Sequence, residues 1–431
     1  MVHRWLCVGA LTLVAATAAA NGRFPATVGA YVHPTDPDTW LSPTTFGLLL
    51  TRDGGASFQW VCEDAIGYSG SYDPDYAVAA DGAIFATTFD GLRVSRDGGC
   101  TFELVPGAPG DTFIGAVAIG PDGGVWAAAA GVDDGGVYRS ADNGASFART
   151  GLEVAGALWR RIEVAPSDAA RAYVSGTVTG PDGTAVPLLY RTDDAGAAWQ
   201  AVAIDGIAAG ASLVDVLAVS PADADVVYVA VRRANPPNGD AVYRSDDAGG
   251  SWTRILDTTD TLSAFVARAD GQRLVAGTRF DQDTVHVSAD RGATWQVPPA
   301  QPVLACAAER PDGKLIGCGA NWEPDFMAVG VSGDARSWQS VLEFRDLDGP
   351  LACQPGTVQF DTCTRLVWPD LAIKLGVGEA GDDAGAGTPD AAPAPDAGRA
   401  GGGGDCGCSA AVAAVVVVLP RRRRRRVTAR R

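Results

Sequence analysis

Aromatic, arginine and carboxylate residues gather in the segments that separate the apolar runs of this chain. Tyr68, Tyr72, Trp159, Arg160, Arg232, Arg279, Trp322 and Glu323 are the candidates for ligand binding, with Asp73, Phe89, Asp90, Asp133, Asp134, Arg161, Arg233 and Phe280 in the same segments. Aromatic faces stack on sugar rings or apolar side chains, and Arg and carboxylate groups orient polar ones. The set therefore suits a carbohydrate or an acidic peptide. Arg160, Arg232 and Arg279 fall on three successive repeats of the chain. Asp and Glu pairs also admit two-carboxylate glycoside hydrolysis. Other chemistries lack their residues. The three histidines are His3, His33 and His286, and His33 sits in a turn with Pro34, which leaves a Ser-His-Asp triad without its base. No HExxH, CxxC or Walker pattern is present, so neither a metal nor a cofactor is expected.

These segments hang on a repeat. The pattern Ser/Thr-x-Asp-x-Gly-x-x-Trp/Phe begins at Thr51, Ser95, Ser140, Thr192, Ser245 and Ser288, with a shortened copy at Ser332 that has Arg336 where Gly is expected. The spacings are 44, 45, 52, 53, 43 and 44 residues. A period in this range means one supersecondary unit per repeat. Asp53, Asp97, Asp142, Asp194, Asp247, Asp290 and Asp334 are read as structural: each carboxylate accepts backbone N–H groups and closes a turn. The Gly supplies positive φ, and the aromatic anchors the returning strand in the core. On that reading Trp252→Ala costs about 3–5 kcal/mol. A second turn precedes each staple, as at Pro166-Ser167-Asp168 and Pro311-Asp312-Gly313. Strands typified by 162–166, 226–231, 241–245 and 252–256 give four per repeat. The fold expected is all-β, a seven-bladed β-propeller of four-stranded antiparallel blades. The two long repeats carry their extra residues at 177–187 and 232–240, in what reads as a variable loop after the second strand.

The chain of 431 residues has 54 Gly, 26 Pro and a formal net charge of −17. Arg4 and the eight Arg after Pro420 are segregated at the ends, so the acidic body should repel nucleic acid and anionic membranes. Residues 1–20 read as a secretory signal peptide cut near Ala20. Export makes disulfides plausible among the eight remaining cysteines. Cys306 and Cys318 flank a turn, Cys353 and Cys363 would close a short loop, and Cys62 and Cys100 lie on adjacent repeats.

The staples are similar to the Asp-box (BNR) repeat of sialidases, xyloglucan-active glycosidases, sortilin-type receptors and photosystem II assembly factors. The resemblance implies the propeller across residues 21–345. A sialidase would also need an Arg-Ile-Pro motif near the first blade. Arg23-Phe24-Pro25 has Phe in the middle, and Arg161-Ile162-Glu163 lacks the Pro and lies elsewhere. The function expected is therefore a non-catalytic binding or scaffolding module, with an exported glycoside hydrolase as the alternative.

Residues 346–375 fall outside the period and read as a small disulfide-closed appendage packing through Trp368 and Leu371. Residues 376–405, rich in Gly, Ala, Asp and Pro, read as a flexible acidic linker. Residues 406–431 place Cys406 and Cys408 before a short apolar run and six Arg. That order resembles the carboxy-terminal sorting tails of myxobacterial surface proteins, in which the cysteine is implicated in processing. It implies processing and anchoring at the cell surface. The chain is expected to be a monomer, exported to the cell surface, the outer membrane or the medium, with membrane association through this tail alone.

Overall fold

A computed structural model describes residues 23–131, 135–233, 239–278 and 285–378. The signal peptide, the linker and the sorting tail with Cys406 and Cys408 lie outside the described residues. Seven antiparallel sheets succeed one another along the chain, forming a seven-bladed β-propeller. Blade 4 is representative, with Leu158–Ala165, Asp168–Thr179, Ala185–Thr192 and Gln200–Ala201 in order from the channel to the rim. In blade 6 the outermost strand is reduced to one bridge, Val287 to Gln296.

Burial follows position in the blade. Second strands are covered on both faces, as in Val125–Ala129 and Leu274–Thr278, where every residue is buried. Their sequences are accordingly continuous apolar runs. Rim strands such as Glu103–Leu104 and Ala148–Arg149 are exposed throughout. The apolar residues form clusters at blade-to-blade contacts. Phe85 and Val125 belong to the cluster between blades 2 and 3, Trp126 and Trp159 to that between 3 and 4, and Tyr173 and Val229 to that between 4 and 5.

Each staple is a small hydrogen-bond cage. In blade 5 the Ser245 hydroxyl donates to Asp247 Oδ1 at 2.7 Å and accepts the Gly249 amide at 2.7 Å. Asp247 in turn accepts the amide and hydroxyl of Ser251 at 2.7 and 2.8 Å. The Asp thus reaches forward four residues, and it is the Ser that holds the Gly. Such donors hold Asp142 and Asp290 down at about 2, led by the hydroxyls of Ser146 and Thr294. The cages are stitched around the ring: Arg52 donates to the Gly98 carbonyl, Arg96 to Asn143, Arg191 to Ala248 and Arg244 to Arg291, each at 2.6 Å and each onto the next blade.

The staple aromatics differ from expectation. Phe58 and Phe102 are buried, but Phe147, Trp199, Trp252, Trp295 and Trp338 are half-buried. The indoles lean on the preceding blade: Trp252 Nε1 donates to the Ala203 carbonyl at 2.9 Å and Trp295 Nε1 to Ile255 at 2.7 Å. They lie near the rim, where water covers one face. Trp252→Ala should therefore cost only about 2 kcal/mol in chemical denaturation, the sum of partial burial and one hydrogen bond. A loss as large as the core value would show that the indole is anchored more deeply.

The 177–187 insertion is also not a loop. The strands continue through it to the pair Thr179–Ala185, so blade 4 projects as a long hairpin that turns at Gly183, φ 80°. Paired backbone there satisfies its own polar groups away from the ring.

Blades 7 and 1 meet through several contacts. The Thr27 hydroxyl donates to the Ala328 carbonyl at 2.7 Å, and the Arg310 guanidinium lies 4.8 Å from the Trp40 ring centre. The C-terminal segment then wraps blade 1. Gly349–Pro350 adds a parallel strand beside Gln59–Val61, and a π-helical run Gln359–Val367 leads into the helix Trp368–Leu375. Gln359 is fully buried; its Oε1 accepts from the Cys62 amide and its Nε2 donates to the Trp60 carbonyl. Trp368 packs 5.4 Å from Trp60, and Leu371 joins the same cluster.

The disulfides correct the loop-closing and adjacent-repeat pairings. They are Cys62–Cys363 and Cys100–Cys353, with Cys306–Cys318 as expected across neighbouring strands. The C-terminal segment crosses the rims of blades 1 and 2, so each of its cysteines faces a different blade instead of the other. Cys62–Cys363 closes 301 residues and Cys306–Cys318 only 12. Because Cys100–Cys353 lies inside it, Cys62–Cys363 adds a loop of only about 48 residues, 38 before Cys100 and 10 after Cys353; chain entropy then assigns about 4 kcal/mol to it and about 3 kcal/mol to Cys306–Cys318. Replacing Cys62 and Cys363 by Ser should lower the denaturation midpoint more than the same change at Cys306 and Cys318. The reverse order would rule out closure entropy as the source.

Candidate functional site

The inner strands line the channel, and four consecutive ones carry a β-bulge near the end where the inter-blade links enter. The extra residues are Gly115, Arg160, Ser212 and Ser263 in blades 3 to 6. A bulge turns the strand and re-aims the side chains around it. At Gly115 no side chain fits, because a Cβ would stand 2.2 Å from the Trp159 carbonyl oxygen. Glu163 and Asp215 occupy the same position on neighbouring strands, three residues past the bulge.

Around this mouth five blades contribute polar groups. Tyr31 of blade 1 donates its hydroxyl to Asp75 Oδ1 at 2.6 Å, and Asp75 Oδ2 accepts the Val117 amide of blade 3 at 3.0 Å. Asp75, at the entrance of blade 2, thus joins three blades. Arg161 of blade 4 is exposed to the channel, and Asp75, Tyr31, Asp215 and Glu163 surround its guanidinium. Enclosure within the ring opposes the Arg161 charge, but those four groups outweigh it and raise its pKa. Burial, and then the charge of Asp75, raise the Tyr31 phenol well above its ordinary value, so it remains a neutral donor. Glu163 is pushed up to about 8 by burial, against attraction from Arg161 and with repulsion from Asp75. It is protonated at neutral pH while Arg161 beside it is charged.

The outer part of the same face carries aromatic rings. Phe89 stacks on Phe113 at 4.9 Å and meets Tyr72 at 4.5 Å, and it remains 57% exposed. Tyr72 is fixed beneath it by the Thr87 hydroxyl at 2.8 Å. At the junction of blades 7 and 1, Trp322 stands edge-on to Phe24 at 5.2 Å, beside a cleft of about 540 Å³.

No family model matches this chain. A curated xyloglucanase from Paenibacillus sp. is 26% identical over 167 residues, which is 32% of this chain and 16% of that enzyme. Among solved structures, YCF48 bound to D1 peptide superposes with a TM-score of 0.47 at 14% identity, covering 70% of this chain and 92% of that one. YCF48 from Cyanidioschyzon merolae gives 0.45 at 13%, covering 69% and 93%. The GH74 xyloglucanase of Xanthomonas campestris gives 0.42 at 14%, covering 72% and 66%. The seven-bladed assignment rests on this chain's own sheets.

The residues expected to bind ligand are dispersed by the fold. Trp159 and Tyr68 are buried, Trp159 among blades 3 and 4 and Tyr68 against blade 1, so neither is presented to a ligand. Inner-strand packing claims the Trp159 indole because the strand enters between two blades. Arg232 is committed to Asp240 by two bonds of 3.0 Å; Asp240, buried, also accepts the Leu262 amide. Arg160 is half-exposed, with Nε 3.7 Å from Asp215 Oδ1. Tyr72 supports the Phe89 shelf, and Trp322 and Glu323 are exposed. Arg279, Phe280, Asp133, Asp134 and the Arg233 side chain lie outside the described residues. Tyr31, Asp75, Glu163, Asp215 and Phe113 were not among the candidates. For Glu163 and Asp215 the available signal was a carboxylate inside an otherwise apolar first strand, in 162–166 and 213–219. Among the described residues, no three His, Cys, Asp or Glu side chains are grouped to hold a metal ion.

Glu163 has a folded pKa raised to about 8 from 4.5. Its contribution to stability is therefore fully present below about pH 4.5 and is lost as pH rises toward 8. Glu163→Gln should remove this dependence, so the stability difference between variant and wild type should shift in the variant's favour from about pH 5 to about pH 8. A difference constant across that range would show that Glu163 titrates normally.

Proposed function

We propose that this chain is an exported, cell-surface-associated propeller acting as a non-catalytic binding or scaffolding module for a carbohydrate or protein ligand. Residues 1–20 direct export, 21–345 form the propeller, 346–375 the appendage, 376–405 a tether, and 406–431 a tail processed at Cys406 or Cys408. The observation that carries the binding reading is the pair of rigid, exposed aromatic platforms on the link face, Phe89 on Phe113 and Trp322 against Phe24. Rings held by their neighbours lose little freedom when a ligand stacks on them, which favours binding. Three disulfides in a chain with a leader-like start support export. The acidic body disfavours nucleic acid.

The hydrolase alternative draws support from Glu163, a carboxylic acid protonated at neutral pH near Asp75 and Asp215. That is the pairing of acid and carboxylate that glycoside hydrolysis uses.

Binding of soluble polysaccharides and of an acidic peptide library should be measured on the intact protein and on Phe89→Ala and Trp322→Ala. At least one class should bind, and the relevant aromatic truncation should weaken it about tenfold, near the worth of one stacking contact. Release of reducing sugar that stops in Glu163→Gln would replace the binding module by the hydrolase.

A further inference from the structure

Arg161 has an unusual position for an arginine. It stands in the channel with carboxyl groups from blades 2, 4 and 5 around it. Among the described residues its guanidinium forms no hydrogen bond and no ion pair. Asp215 Oδ1 is enclosed and accepts no hydrogen bond. Both groups stand on bulged strands. Arg161 keeps its donors free, while Asp215 faces Arg160 Nε at 3.7 Å through Oδ1 and its side chain remains partly exposed.

The charges decide what fits there. Asp75 and Asp215 are opposed by Arg161 and Arg160, and Arg232 is already neutralised by Asp240. The two carboxylates and the two guanidinium groups balance one another, and burial pushes Glu163 toward its neutral form. An anionic ligand would face two carboxylates, and a cation would compete with Arg160 and Arg161. A neutral ligand with many hydroxyl groups suits the arrangement, because each hydroxyl both donates and accepts. Arg161 and Glu163 supply donors, and Asp75 and Asp215 supply acceptors. The exposed ring of Phe89 stands on the same face to cover an apolar sugar edge.

We propose that the channel mouth formed by Arg161, Glu163, Asp75 and Asp215 is a binding site for a neutral polyhydroxylated ligand, a glycan unit. This rests on the binding-module reading and gives it a ligand class and a place. Arg161 and Asp215 are the anchoring pair. Glu163 contributes as a neutral donor; the charged groups acting on it are Arg161 on its own strand and Asp75 of blade 2, and Tyr31 and Asp215 of blades 1 and 5 act in turn on Arg161. Binding therefore weakens when it ionises.

Saturation-transfer NMR on the full chain tests this with methyl glucoside, methyl galactoside and methyl mannoside as probes, and sialic acid as the anionic competitor. At least one neutral glycoside should bind. Arg161→Gln should weaken it at least about tenfold, the loss of one charged hydrogen bond. Asp215→Asn is the second variant, should the first fail to fold, and should act in the same direction. Glu163→Gln should remove the pH dependence: affinity should fall from about pH 7 to about pH 9 in wild type and stay constant over that range in the variant, whatever its absolute value. The site is overturned if no neutral glycoside binds, if binding ignores both Arg161→Gln and Asp215→Asn, or if sialic acid displaces the glycoside. Binding that ignores those variants yet is lost in Phe89→Ala or Trp322→Ala overturns the channel site and leaves the binding module standing. Failure of polysaccharides and peptides alike to bind the intact protein overturns the module itself.

Discussion

Every blade of this protein has two apolar faces, and only another blade can cover them. That single constraint organises the molecule. A second strand such as Val125–Ala129 is buried on both sides because blades 2 and 4 stand against its own. Stability therefore resides in blade-to-blade clusters, and the ring must close before blades 1 and 7 are covered. The largest cluster runs through blades 7, 1 and 2 and takes in the C-terminal segment through Leu371 and Leu375. Blade 1 is the place where the chain spends its extra devices: a fifth strand, the buried Gln359 and one of two rim disulfides.

The staples serve the same end at one face of the ring. A Ser or Thr hydroxyl, a carboxylate and a glycine amide hold each turn rigid, and an arginine links the turn to the next blade. At the junction of blades 6 and 7 the buried Arg268 meets Glu309 and the Gly313 carbonyl. A buried guanidinium is tolerable because its partners are supplied by the neighbouring blade. Charge and hydrogen bonding thus fix the angle between blades, while apolar contact holds them together.

A ring held at its rim and at its staple face leaves the channel free to carry groups that stability does not require. Arg161, Glu163 and Asp215 stand on inner strands where Ala or Val stand in other blades, at Ala116, Ala118, Ala264 and Val266. Placing charge on those strands costs desolvation and returns no packing. The bulges at Arg160 and Ser212 and the exposed Phe89 shelf lie toward the same face. Binding capacity and structural strength are therefore separated along the axis of the ring.

The period, the two turns per repeat and the four-strand pattern were legible in the chain, because each is a local signal repeated at a fixed interval. Asp142 and Ser140 sit two residues apart and meet whatever the rest of the fold does. The Cys306–Cys318 bond was legible for the same reason, since its partners face each other across one hairpin. The candidate site was legible only in outline. Trp159 and Arg160 are adjacent in sequence, yet a neighbouring blade buries one and a bulge exposes the other. Arg232 looked free until Asp240 was seen to hold it. Cys62 finds Cys363 and not Cys100 because a segment three hundred residues away crosses the rim. Tyr31, Asp75, Arg161 and Asp215 come from four repeats, and no spacing along one chain encodes which residues a closed ring brings to its centre. Local hydrogen bonds and strand period are written in the sequence; convergence across the channel is decided by closure, because only the closed ring sets the distances between blades.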